Sequence, residues 1–127
     1  MKLRILGNSI RFRLGKTEVE NFGRDRSIQE TVRFGGSPED DLRYTLQKTD
    51  DSSFAGSFSN GSIVIGIPRS VADLWVSSEE VSISGQQKLD GTTNLKFLVE
   101  KDFVCLNAHN DEDQSDRYPH PNGPDAC

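Results

Sequence analysis

The chain has 127 residues with 33% hydrophobic and 28% charged side chains. Its mean hydropathy of -0.60 predicts one small soluble body with a modest core. No apolar run approaches the roughly 18 residues of a membrane helix. The arginine-studded start, residues 1–15, does not resemble a secretory leader, so a cytoplasmic protein with no membrane partner is expected. Two cysteines exclude a disulfide scaffold. The formal net charge is -5, unevenly spread: residues 1–49 carry ten Lys or Arg against seven acids.

In chain order, residues 2–6 and 10–14 alternate apolar and basic side chains around Gly7-Asn8-Ser9, which predicts a β-hairpin. Leu3, Ile5, Ile10, Phe12 and Leu14 take one side. Lys2, Arg4, Arg11 and Arg13 take the other. Thr17 and Glu20 have capping-box spacing, so a short helix burying Val19 and Phe22 and ending at Gly23 is expected. Residues 28–34 and the alternating Leu42, Tyr44 and Leu46 read as strands either side of Gly35-Gly36-Ser37-Pro38.

After a polar linker at 49–53, Phe54 and Phe58 flank another short strand and Asn60-Gly61 marks a second hairpin. Residues 62–67 form an isoleucine-rich strand. Pro68 suits a helix's first turn, with Val71, Leu74 and Trp75 as its apolar stripe. Residues 81–84 and 95–99 complete the set around Asp90-Gly91. A shift of 53 residues superimposes Ser9 on Ser62, Leu14 on Ile67, Phe22 on Trp75, Tyr44 on Phe97 and Lys48 on Lys101. The reading is an α+β, mainly β fold: a tandem ββαββ duplication with lobes at 1–49 and 54–106, then a loose acidic tail at 107–127.

Gly7-Asn8-Ser9-Ile10-Arg11-Phe12-Arg13-Leu14 resembles the opening of AbrB/MazE-type swapped-hairpin domains. Gly66-Ile67-Pro68 before Arg69-Ser70-Val71-Ala72 resembles their strand-proline-helix junction. In that family two ββαββ chains interlock, so the resemblance implies a fused pseudo-dimer with a pseudo-two-fold, swapped-hairpin-like barrel. It also implies antitoxin-like or transition-regulator-like DNA binding through Asn8, Ser9 and Arg13, beside the wet-face cations Lys2, Arg4 and Arg11. Gly15 stands where the family has proline, and Gly66 where it has arginine. The whole chain, with its closing residues 100–106, also resembles a family of small bacterial proteins of unassigned function.

The chemistry-bearing residues are few. No nucleophile elbow, phosphate-binding glycine loop or dinucleotide fingerprint occurs. A non-catalytic binding or regulatory module with a protein partner is therefore the leading expectation, and DNA binding by the first hairpin is the alternative. Cys105, His109, His120 and Cys127 offer thiolates and imidazoles, the donors zinc prefers. Their Cys-x3-His-x10-His-x6-Cys spacing fits no standard finger, so a small zinc site is a further alternative. No other cofactor is expected.

Overall fold

The computed structural model describes residues 1–103 and Tyr118. The elements are β1 (Lys2–Leu6), β2 (Ser9–Leu14), α1 (Lys16–Arg24), β3 (Ser27–Arg33), a 3-10 turn (Pro38–Asp40), β4 (Asp41–Thr49), β5 (Ala55–Ser59), β6 (Ser62–Pro68), α2 (Arg69–Ser77), β7 (Ser82–Lys88) and β8 (Asn94–Lys101). The class is α+β, mainly β. Its strands form two four-stranded sheets, ordered β1-β2-β8-β7 (sheet A) and β3-β4-β6-β5 (sheet B). The central pairs β2/β8 and β4/β6 are parallel, and every other pair is antiparallel. Each sheet thus joins one hairpin from early in the chain to one from late in it. Helix α1 carries the chain from sheet A to sheet B, and α2 carries it back.

Local chemistry explains the tight turns. Gly7 has φ +56°, while Asn60 and Gly61 have φ +49° and +74°, the backbone that two-residue hairpins need. A Cβ on Gly61 would lie 2.5 Å from the Asp41 carbonyl oxygen, whereas one on Gly7 would meet nothing within 4 Å. Gly61→Ala should therefore cost about 2 kcal/mol or more, combining left-handed strain with the clash. Gly7→Asn should stay within about 0.5 kcal/mol. Urea denaturation of the two variants checks the contrast.

The inner faces meet in one core. Phe12 and Leu14 from β2, Leu46 from β4, Ile63, Ile65 and Ile67 from β6, and Phe97 and Val99 from β8 pack with Val19, Phe22, Ala72 and Trp75 of the helices. Gly23 lets α1 approach α2, because a Cβ there would stand 2.6 Å from Val76 Cγ1. A lysine seals the end of each helix. Lys48 Nζ donates to the Gly23 carbonyl at 3.0 Å and lies 5.5 Å from the Phe22 ring centre. Lys101 Nζ donates to the Ser78 carbonyl at 2.8 Å and lies 5.5 Å from the Trp75 ring centre. A cation at a helix C-terminus satisfies orphan carbonyls and the dipole together.

Several expectations are corrected. The sheets do not close into a hydrogen-bonded barrel among the described residues. At one seam β5 meets β7 through side chains: Gly56 N donates to Gln87 Oε1 at 2.9 Å, and the Phe54 ring sits where a Gly85 Cβ would be. Helix α1 starts at Lys16 with Gly15 as N-cap, because Glu18 Oε1 accepts the Gly15 N–H at 2.9 Å. The box is formed by Glu18, not by Thr17 and Glu20. The helix also continues one residue past Gly23. Pro68 is the N-cap of α2 and not its first turn. Leu74 is 62% exposed, and Ala72 is buried with Trp75 instead.

Candidate nucleic-acid interface

Strand alternation and cross-strand register decide what the outer face of sheet A carries. Lys2 pairs with Arg13 and Arg4 with Arg11 across β1/β2. Ser9, Arg11 and Arg13 align with Lys96, Leu98 and Glu100 of β8. These in turn oppose Gln86, Ser84 and Ser82 of β7, with Lys88 opposite Asn94. Among the described residues the face therefore gathers six cations, Lys2, Arg4, Arg11, Arg13, Lys88 and Lys96, around two carboxylates, Glu100 and, at its edge, Asp102. The outer face of sheet B is different in kind. At its matching register it carries Gln29, Thr31, Thr45, Gln47, Ser57 and Val64, and its cations Arg33 and Arg43 both flank Asp41, at 3.7 and 3.2 Å.

Glu100 organises the basic face. Arg13 grips it through Nε at 3.0 Å and Nη2 at 2.9 Å, and Arg11 Nε lies 3.7 Å away. Lys2 Nζ donates to Asp102 at 3.0 Å, at the edge of the same face. The side chains of Lys88 and Lys96 have no hydrogen-bond or ion-pair partner among the described residues. Among the described residues Lys88 and Lys96 thus keep this face positive after the pairs to Glu100 and Asp102 are formed.

The structure brings Lys2, Arg4, Ser9, Arg11 and Arg13 onto this one face. Asn8 has a different position. Its Nδ2 donates to the Asn94 carbonyl at 2.9 Å and its own carbonyl accepts the Lys96 N–H at 3.1 Å. Asn8 thereby ties the hairpin tip to β8 and sets Lys96 beside Ser9. Sequence reasoning missed Lys88 and Lys96. Their alternation with Gln87 and with Leu95 and Phe97 marked them as outward-facing, but nothing local shows that β8 runs beside β2. Cys105, His109, His120 and Cys127 lie outside the described residues. Among the described residues no group of three metal-ligating side chains converges.

A second charged cluster lies at the start of the chain. The Met1 ammonium donates to Glu18 and, at 3.2 Å, to Glu30, while the Tyr44 hydroxyl donates to the Met1 carbonyl at 2.9 Å. Burial alone lowers the ammonium's pKa, but the hydrogen bonds and attraction of Glu18 and Glu30 outweigh it and hold it above the ordinary 8.0. Burial alone raises Glu18, but the ammonium and the Gly15 N–H hold it below the ordinary 4.5. A lowered carboxylate stabilises the fold above its unfolded pKa, and that stability is lost as pH falls through the folded value. A raised amine stabilises it below its unfolded pKa, and that stability is lost as pH rises through the folded value. Urea midpoints should accordingly fall at both acid and alkaline extremes, and Glu18→Gln should flatten both limbs.

These features define a small α+β protein of two four-stranded sheets and two helices. The chain belongs to DUF7009, a family of unknown function whose sequence model matches residues 1–122. No curated protein and no solved structure matches it. No helix among the described residues is long and apolar enough to cross a membrane.

Proposed function

We propose that the chain is a non-catalytic DNA-binding module, a fused swapped-hairpin pair that grips duplex phosphates with the outer face of sheet A. The observation that carries this reading is the segregation of charge: among the described residues, six cations and two carboxylates share a sheet face of a chain whose net charge is -5. Phosphate contact is the sequence-independent source of most nucleic-acid affinity. Among the described residues the face carries no aromatic side chain on which an unpaired base would stack, which favours a duplex over a single strand.

The duplication is supported by the element bounds. A shift of 53 residues carries β1 onto β5 and α1 onto α2 at both ends of each element. It also carries the Lys48–Phe22 contact onto Lys101–Trp75, both at 5.5 Å. Under the same shift Lys2, Arg4, Arg11 and Arg13 fall on Ala55, Ser57, Val64 and Gly66. Only one half of the pair keeps the contact set, so the complex is one-sided and needs no palindromic site.

Lys88 and Lys96 test this cleanly because neither supports the fold through an ion pair. Lys88→Gln with Lys96→Gln should lower affinity for a mixed-sequence duplex about tenfold or more and flatten the salt slope by about two. Fluorescence anisotropy over a range of salt reads both. An unchanged slope in the double variant would remove this face from the interface.

A further inference from the structure

Beyond the sheet face, a cleft of about 640 Å³ opens where α1 ends against α2, lined by Arg24, Arg26, Lys48, Arg69, Asp73 and Ser77 among others. Lys48 forms its floor, with a side chain 6% exposed and Nζ 2.9 Å from Asp73. The Gly23 carbonyl accepts one ammonium hydrogen, and Asp73 balances the ammonium charge. The other charges divide unequally. Arg24 is turned to Asn21 and Asp25, at 2.9 and 3.3 Å. Arg69 reaches only the exposed Asp50, at 3.4 Å. The Arg26 guanidinium has no hydrogen-bond or ion-pair partner among the described residues.

The cleft on the other side of the helix pair offers a comparison within the molecule. It holds about 440 Å³, and Leu14, Val19, Val76 and Phe103 surround Lys101 there. Lys101 and Lys16 occupy the places of Lys48 and Arg69, whereas Ser77 and Glu79, the counterparts of Arg24 and Arg26 under the 53-residue shift, do not line the second cleft. Three guanidinium groups, Arg24, Arg26 and Arg69, are thus particular to the first cleft, and helix capping by lysine, common to both, does not account for them.

We propose that the first cleft binds a small phosphate-bearing molecule, held by Arg26 and Arg69 above the buried Lys48 ammonium. Guanidinium forks match the oxygens of a phosphoryl group in pairs, and the buried Lys48 ammonium offsets the Asp73 carboxylate that would otherwise repel an anion. The volume exceeds a bare phosphate and falls in the usual range for small-molecule sites. Arg26 and Arg69 make the contact at the rim, where loss of either leaves the core untouched.

Calorimetric titration of the full chain with inorganic pyrophosphate tests this. One pyrophosphate should bind per chain, and Arg26→Gln with Arg69→Gln should weaken it at least about tenfold while the urea midpoint stays in place. Lys88→Gln with Lys96→Gln should leave it unchanged. No heat up to about 10 mM, or equal binding in the Arg26/Arg69 variant, overturns the proposal. Loss of binding only in the Lys88/Lys96 variant does so too, by placing the anion on the sheet. Because the duplex assay reads the other face, either proposal can fail alone.

Discussion

Trp75→Ala is expected to cost about 3–5 kcal/mol, a large share of the roughly 5–15 kcal/mol that holds a domain together. Trp75 is fully buried, the largest side chain to be so. Its Nε1 donates to the Val81 carbonyl at 3.1 Å, just before β7 begins, and Lys101 Nζ stands over its ring. Alanine would open a cavity between α2 and both sheets, remove one of the two hydrogen bonds to the Val81 carbonyl and take away the aromatic face beneath a lysine. Trp75→Phe keeps the ring and loses the hydrogen bond, so it should cost nearer 1–2 kcal/mol, about the worth of one such bond. Urea denaturation of the three proteins orders them. A Trp75→Ala midpoint within error of the parent would mean that the helix pair is not part of the core.

The second large effect concerns Glu100 and the arginines around it. Arg11→Gln with Arg13→Gln removes two phosphate contacts and leaves Glu100 among fewer cations. Affinity for duplex should fall about a hundredfold at 0.1 M salt, since each contact is worth roughly a factor of ten there. Glu100→Gln should act in the opposite direction and tighten binding several-fold, because it deletes the carboxylate between Arg11 and Arg13. Opposite signs from neighbouring residues distinguish a charge effect from damage to the fold, which would weaken binding in both. Near-ultraviolet circular dichroism of both variants confirms that the Trp75 environment is retained.

What was legible in the sequence was local. Both hairpins announced themselves through Gly7-Asn8 and Asn60-Gly61, because turn chemistry and period-2 alternation act within a few residues. The helices were placed from Val19, Phe22 and Trp75, although the start of α1 shifted because Glu18, and not Glu20, reaches back to a backbone N–H. Pairing across the molecule was not legible. Nothing near Lys96 shows that Ser9 lies beside it, so the basic face was seen as one hairpin when it spans four strands. The roles of Lys48 and Lys101 were not legible either, since only the folded chain presents each with a helix end and an aromatic ring. Gly56 and Gly85 carried no visible signal either; they matter because Phe97 and Phe54 pack into the space a Cβ would take.

DNA binding by the outer face of sheet A requires that this surface, and no other, meet the duplex. Amide chemical shifts of the isotope-labelled chain, followed as a mixed-sequence duplex is added at low salt, measure that directly. The shifts are expected to concentrate on β1, β2, β8 and β7, strongest at Arg4, Arg11, Arg13 and Lys96, and to reverse as salt is raised. Sheet B, whose outer face carries Thr45, Gln47, Ser57 and Val64 at the same register, should stay silent. Shifts centred on sheet B or on the helices, or a spectrum unmoved by the duplex, would contradict the account.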